Sequence, residues 1–306
     1  MIYQVRHETR YSYAREVSLA AHVLHLLPRS LRGQRVLSAS VAADPAAARR
    51  RDGLDHFGNA VTWLFLERPH TRFEVLSEAV VKVGFPSPPE PESTPAWERV
   101  AALAASGGPE AWEAADYLFE SPMLPSAPEA GAYAAPSFGA GRPLLAALLE
   151  LNTRINRDFR FFPGATTIST PVADVLRHRK GVCQDFAHLM IAALRALGLP
   201  ARYVSGYIRT RPPPGMERRV GADQSHAWVG CWLGPSHGWI GLDPTNNLVV
   251  GDEHVIVAWG RDYGDVSPVR GIILGGGEHR VDVEVTLAPV PDAAEASSEE
   301  WTAHAR

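Results

Sequence analysis

Three residue types that together perform acyl-transfer chemistry occur in separate blocks of the sequence. Cys183 lies in GVCQDFAHLMIAALRALGLP (181–200), His226 in SHAW, and Asp243 directly after GWIGL. A thiol nucleophile needs a base that takes and returns its proton, and that base needs a third group that fixes its orientation. Histidine titrates near neutral pH, which suits the base. Taken alone, each residue is more commonly structural: a core thiol, a partly buried ring or a turn carboxylate.

The block around Cys183 predicts a helix that begins at or beside the cysteine. Gly181 lets the backbone turn sharply before it, and Gly198 with Pro200 ends it. Unpaired N–H groups and the positive dipole end at a helix start favour a thiolate, and they make the backbone N–H of Cys183 a candidate oxyanion donor. Apolar residues at helical spacing predict one inward face: Phe186, Leu189, Met190, Ala193, Leu194 and Leu197.

The segments after Pro200 are short and rich in aromatic and branched residues, which predicts strands. Neighbouring antiparallel strands would bring His226 and Asp243 to one edge of a sheet, with the cysteine helix packed against it. The predicted strands are 201–208, 226–233, 238–242 and 254–259.

The chain as a whole is predicted to be an α+β protein. Alternating residues in its first part predict an antiparallel sandwich or small barrel, interpreted as a structural module. Segment 281–287 alternates too, and either sheet could accept it. The predicted divisions are a β-rich N-terminal domain (1–84), a proline-rich linker and helical connection (85–141), a catalytic core (142–290) and a flexible tail (291–306). Helices are expected over 96–120 and 142–157, with 121–141 irregular.

Composition excludes several classes of function. The 306 residues are 45% hydrophobic with a formal net charge of −4, which is typical of a soluble globular protein and gives no electrostatic case for nucleic acid or an anionic membrane. Two cysteines permit at most a single Cys183–Cys231 bridge. The charged, alternating N-terminus predicts no signal peptide, and the apolar stretch 17–27 is too short to span a bilayer. A cytoplasmic location is expected.

The three blocks, in this order, resemble the core of the transglutaminase-like superfamily, whose members are similar to papain-type cysteine peptidases. The core resemblance runs from about residue 140 to 270, and the strand-rich start resembles the N-terminal region of bacterial members. The resemblance implies a nucleophile helix packed on an antiparallel sheet. It implies Cys183 as nucleophile, His226 as general base and acid, and Asp243 as the orienting carboxylate.

Further residues in these blocks are candidates for oxyanion or substrate binding. Gln184 follows the nucleophile, and Trp228 ends SHAW. GRDYGDVSPVRG (260–271) resembles another block of the bacterial branch and contributes Arg261, Asp262 and Tyr263, which could equally be structural. The loop 209–223 precedes SHAW and is predicted either to form a rim of the cleft or to be a plain surface loop.

Hydrolysis of a peptide or isopeptide bond is the preferred function, with a peptide or protein as substrate. Transfer of an acyl group from glutamine to an amine is the first alternative, although Gln184 stands where animal crosslinking enzymes carry tryptophan and no acidic loop resembles a calcium site. A non-catalytic peptide-binding module is the alternative from another class. No cofactor is expected. A metal site would have to use His226, Cys231, His237 and His254, whose spacing matches no metal motif.

Overall fold

The structure, a computed structural model, describes residues 1–210 and 224–290. Its helices are α1 (Trp97–Ala105), α2 (Trp112–Ala115), α3 (Pro128–Ala134), α4 (Leu144–Asp158), α5 (Val172–His178), α6 (Cys183–Ala196) and α7 (Tyr263–Val266), with 3₁₀ turns at Pro91–Ser93 and Ala135–Ser137. Its strands are β1 (Ile2–Leu24), β2 (Gln34–Asp44), β3 (Arg49–Leu54), β4 (Ala60–Leu66), β5 (His70–Val83), β6 (Arg160–Phe161), β7 (Lys180–Gly181), β8 (Ala201–Ile208), β9 (Gln224–Trp232), β10 (Trp239–Asp243), β11 (Leu248–Val249), β12 (His254–Gly260), β13 (Val269–Gly275) and β14 (His279–Val290).

The long strand β1 organises a seven-stranded sheet in two layers. Up to Ser12, β1 pairs with β5 on one edge and with β14 on the other. It pairs with β13 from Val17 onward and with β4 from Ala20 onward, so β1 passes from one layer into the next. Buried side chains from both layers, among them Leu64 and Phe73, form one core between them. This is the predicted antiparallel sandwich.

The last two strands return to this sheet. Segment 281–287 lies within β14, which runs antiparallel to β1 from Ile2 to Tyr13. The predicted catalytic core 142–290 therefore contains two strands that belong to the N-terminal sheet. The sequence could not decide this, because the alternating pattern of β14 fits any half-buried strand and its partner is more than 260 residues away.

A second, five-stranded antiparallel sheet has the order β11-β10-β9-β8-β12. Its four predicted strands are confirmed within two residues at each end. Helix α6 packs against β8 and β9, and every side chain from Asp185 to Leu194 is buried. Gly198 follows α6 with a φ of +74°, so the predicted helix end is confirmed.

Two expectations for the helical connection differ from the structure. The segment 96–120 contains α1 and α2 as separate helices, because Gly107 has a φ of +62° and Pro109 follows soon after. Helix α3 lies within 121–141, which was expected to be irregular. The helix predicted at 142–157 is confirmed as α4.

The two sheets share a hydrophobic core. Tyr3, Val81 and Leu287 of the seven-stranded sheet are buried in one cluster with Leu148 of α4 and Phe186 of α6. No helix in the described ranges is long and apolar enough to cross a membrane. Most of the predicted rim loop (211–223) and the predicted tail (291–306) lie outside the described residues.

Candidate active site

A buried carboxylate fixes the start of the helix that carries Cys183. Asp185 Oδ2 accepts hydrogen bonds from the Val182 N–H at 2.7 Å and from Thr166 Oγ1 at 2.6 Å. An acidic side chain that reaches back to the N-cap amide is one half of a capping box. Burial raises the pKa of Asp185, although these two hydrogen bonds oppose the increase. Cys183 is thereby held in the first turn of α6, half-buried and free of any disulfide.

Gly181 is needed for a reason other than the predicted sharp turn. Its φ lies outside the left-handed region. A Cβ added there would lie 2.8 Å from both Cβ and Oδ2 of Asp185. The missing side chain therefore lets the Asp185 carboxylate reach the helix start.

His226 and Asp243 form a short, buried hydrogen bond at one end of the five-stranded sheet. The distance from His226 Nε2 to Asp243 Oδ2 is 2.7 Å, with the side chains 7% and 0% exposed. The register that pairs Leu242 with Val229 brings the two residues to the same end of the sheet. Because Nε2 faces the carboxylate, Nδ1 is the ring nitrogen left for the thiol of Cys183, which lines the same cavity.

The Asp243 carboxylate has partners on both oxygens. Oδ1 accepts from the backbone N–H groups of Thr245 at 3.0 Å and Asn246 at 3.2 Å. Oδ2 accepts from Asn246 Nδ2 at 2.7 Å in addition to His226. Asn246 was not selected from the sequence, although the turn DPTNN contains it. A short polar turn after the strand is the signal that could have identified it.

These contacts keep the pair ionised despite burial. Burial alone would lower the pKa of His226, but the hydrogen bonds and charges of Asp243 and Cys183 outweigh it and raise the pKa to about 9. Burial would likewise raise the pKa of Asp243, but its hydrogen bonds and the charge of His226 hold it well below the ordinary value. At neutral pH the site therefore contains an imidazolium and a carboxylate.

A second buried histidine lies behind this pair. His254 is 2% exposed, and its Nε2 lies 3.6 Å from Asp243 Oδ2, outside direct hydrogen-bond distance. The sequence suggested His254 only as a member of an unsupported metal set. Trp228 is fully buried between His226 and His254, with ring centroids 5.9 Å and 5.2 Å away. Trp228 therefore packs against the histidines and does not contact the cavity that contains Cys183.

Two other sequence candidates have structural partners. Arg261 forms a bidentate ion pair with Asp265, at 2.9 Å and 3.0 Å. Asp262 is 1% exposed and accepts hydrogen bonds from the Met123 and Gly264 N–H groups. Neither residue lines the cavity. These contacts favour the structural alternative for both residues, because a polar loop pattern does not distinguish a binding loop from one whose polar groups pair internally.

Cys183 and His226 open into a cavity of about 720 Å³. Two of the sequence candidates for oxyanion or substrate binding, Gln184 and Tyr263, line this cavity. The Gln184 amide donates to the Ile168 carbonyl at 3.1 Å, which ties this side chain to the preceding loop.

The seven-stranded sheet supplies another wall of this cavity, which the interpretation as a purely structural module did not foresee. Its contributing residues lie on β1, β13 and β14: His7, Thr9, Tyr11, Val269, His279, Val281, Val283 and Val285. The N-terminal sheet is therefore part of the candidate site.

The described residues contain neither a disulfide nor a metal-binding cluster of the cysteines and histidines. Cys183 and Cys231 are both free. Cys231 lies in the core, and burial raises the pKa of its thiol strongly. Within residues 1–210 and 224–290, no group of three or more His, Cys, Asp or Glu side chains is arranged to hold a metal ion.

The fold and site correspond to a known family. Residues 132–244 match the Transglutaminase-like superfamily, and residues 3–82 match the Bacterial transglutaminase-like N-terminal region. The chain belongs to the transglutaminase-like superfamily.

Among its relatives is an uncharacterized protein of Mycobacterium tuberculosis, 42% identical over 94% of this chain and 92% of the relative. A solved structure from Cytophaga hutchinsonii, described as that of a candidate cysteine protease, has a TM-score of 0.72 and 21% identity, and the match covers 96% of this chain and 92% of that one. That likeness supports the fold. A Protein-glutamine gamma-glutamyltransferase of Pseudomonas aeruginosa is 39% identical over 33% of this chain and 15% of that protein.

Proposed function

We propose that the protein is a thiol-dependent enzyme that hydrolyses peptide or isopeptide bonds through a thioester on Cys183. The Cys183 sulfur attacks the amide carbonyl carbon, forming a C–S bond, and the C–N bond then breaks. His226 gives its proton to the departing amine. Water attacks the thioester next while His226 takes a proton from it. The C–S bond then breaks, which releases the carboxylic acid and leaves the Cys183 thiolate beside protonated His226.

One observation carries this proposal. His226 and Asp243 form a buried hydrogen bond of 2.7 Å, and His226 lines the same cavity as Cys183, which lies at the start of a helix. The arrangement leaves Nδ1 for the thiol and holds the ring in one orientation. The raised pKa of His226, about 9, supplies a proton for the amine at neutral pH. This geometry supports the assignment of Cys183 as nucleophile, His226 as proton carrier and Asp243 as orienting group.

The negative charge that develops on the carbonyl oxygen during attack by Cys183 needs hydrogen-bond donors to stabilise it. The Cys183 backbone N–H lies in the first turn of α6, where N–H groups have no intrahelical acceptor. The Tyr203 hydroxyl is proposed as the second donor. Tyr203 lines the cavity, and its pKa is raised first by burial and then by the charge of Cys183, which lies close to it.

Peptide and isopeptide hydrolysis by the wild type and by Cys183→Ala tests the proposal. The wild type should release new carboxylates and amines. Cys183→Ala should lose all turnover while keeping its circular dichroism spectrum, because the alanine removes only the half-buried sulfur atom. Equal turnover by both proteins would contradict the proposal.

Transfer of the acyl group to an amine is the second candidate, supported by the name of the Pseudomonas aeruginosa relative. Both reactions share the thioester and differ only in what attacks it. Adding a fluorescent primary amine to a glutamine peptide separates them: incorporation with ammonia release favours transfer, and carboxylate formation without incorporation favours hydrolysis.

We further propose a peptide or protein substrate and a cytoplasmic location. The cavity volume, about 720 Å³, would admit a few amino-acid side chains. The location is supported by the two free cysteines, which suit a reducing compartment, and fractionation of cells that express the protein would test it.

A further inference from the structure

Two adjacent strands form the cavity wall that faces the nucleophile helix from the N-terminal sheet. In their register, Thr9 pairs with Val283 and Tyr11 with Val281. Side chains two residues apart on a strand share a face, so these residues present one continuous surface to the cavity. We call Thr9, Tyr11, Val281 and Val283 the β1–β14 wall.

The wall exposes apolar surface inside the cavity. Val281 is 41% exposed and Val283 is 52% exposed, although both line the space that contains Cys183. Branched aliphatic side chains left open at the wall of a reactive cavity are suited to cover an apolar group of a bound molecule.

Next to the wall, at the buried end of the same two strands, the cavity surface is polar but uncharged. His7, which pairs with Val285, is 1% exposed. Its Nδ1 lies 2.9 Å from the Tyr207 hydroxyl and its Nε2 lies 3.0 Å from Thr9 Oγ1, so both ring nitrogens have partners. Burial lowers the pKa of His7 to about 4, so the ring is neutral at pH 7.

We propose that the β1–β14 wall is the subsite for the acyl donor and selects an uncharged, apolar side chain next to the scissile amide. This inference rests on the proposed function. The acyl group stays bonded to Cys183 through both steps, so it is the part of the substrate that occupies the shared cavity longest. A charged side chain there would lose part of its hydration against the valine surface, and Thr9, Tyr11, Val281 and Val283 carry no opposite charge to replace it.

Two thiol-directed probes test the inference: N-acetyl-leucine chloromethyl ketone and N-acetyl-aspartate chloromethyl ketone. In each, the Cys183 thiolate forms a C–S bond and chloride leaves. The leucine probe should inactivate the wild type at least tenfold faster than the aspartate probe, after correction for their rates with free cysteine, as expected for one side chain in a hydrophobic pocket. Equal corrected rates would overturn the inference.

Val283→Asp should abolish the preference for the leucine probe. Val290→Asp is the matched control, because Val290 lies on the same strand, is 40% exposed and does not line the cavity. The control should keep the wild-type preference. Retention of the preference in Val283→Asp would also overturn the inference.

Iodoacetamide separates this inference from the proposed function, since the reagent is too small to need the wall. If it alkylates Cys183 at pH 6.5 much faster than it alkylates free cysteine, but the two probes react alike, only the subsite is wrong. If it alkylates Cys183 no faster than free cysteine at that pH, the activated thiol is wrong, and the subsite falls with it.

Discussion

Single residues determine the protonation state of the site. The ring of His226 is buried, which disfavours the imidazolium, yet Asp243 and Cys183 raise its pKa to about 9. A raised histidine pKa contributes stability below the ordinary value of about 6.5, and this contribution is lost as the pH rises through about 9. Activity that depends on a protonated His226 should fall over the same upper range.

The first residue-scale prediction concerns Asp243→Asn. The asparagine keeps the size of the side chain but removes the charge, so burial should dominate and the pKa of His226 should fall below 6.5. NMR titration of the histidine ring signals measures this. His22 is the internal control, because burial lowers its pKa to about 4 and it stacks on Phe73 within the seven-stranded sheet. An unchanged titration of His226 near pH 9 would contradict the assignment.

The second prediction at the residue scale concerns the substitution Tyr203→Phe. If the Tyr203 hydroxyl stabilises the oxyanion, its removal should lower kcat by about 10²- to 10³-fold. Alkylation of Cys183 by iodoacetamide forms no oxyanion and should keep its rate. Tyr263→Phe is the matched control, since Tyr263 also lines the cavity but its hydroxyl accepts from Ser267 Oγ at 3.3 Å. A parallel loss in alkylation would assign Tyr203 a structural role.

The sequence predicted the three principal residues because each lies in a short block with characteristic neighbours. It did not predict Asn246, Asp185 or Tyr203. The partners of these residues come from backbone geometry or from other elements, and a residue type alone carries no record of such contacts. Arg261 and Asp262 show the reverse case: their polarity suggested binding, but they pair within their own loop or with Met123.

At the scale of elements, the start of α6 decides where the sulfur lies. The boundaries of this helix could be predicted from its apolar periodicity and from Gly198. The reason why position 181 needs a glycine could not be predicted, because a close approach between two side-chain positions depends on the folded path of the chain.

Gly181→Ala should slow the alkylation of Cys183 by iodoacetamide at least tenfold. The new methyl group would displace the Asp185 carboxylate from the Val182 N–H, and loss of a cap of this type costs about 1 kcal/mol of stability. Alkylation kinetics and thermal denaturation measure the two effects. Gly139→Ala is the control, since a Cβ there meets no atom within 4 Å and its φ is not positive. Equal effects in both variants would refute the role of Asp185.

At the scale of the whole molecule, the seven-stranded sheet and the helical part share one core. The alternation of β1 and β5 predicted strands correctly, yet nothing in it predicted that one end of this sheet faces the nucleophile. Pairing of β14 with β1 spans almost the whole sequence, and local patterns contain no information on such distant partners.

Leu287→Ala should therefore destabilise the protein as a unit. Leu287 is fully buried in the shared core, so the cavity left behind should cost about 2–5 kcal/mol of the free energy of unfolding. Urea denaturation followed by circular dichroism and by tryptophan fluorescence should show a single transition, shifted equally for both signals. Separate transitions for the two signals would indicate two independent domains.

The register of β14 has a consequence for redesign of the chain. Ile2 and Val290 are direct cross-strand partners, so positions 2 and 290 are adjacent in space. A circular permutant that joins them by a short linker and opens within the proline-rich segment 85–95 would place β13, β14 and β1 to β5 in one uninterrupted stretch of sequence. The cleft would then be shared between two consecutive gene segments, which could be exchanged separately between relatives.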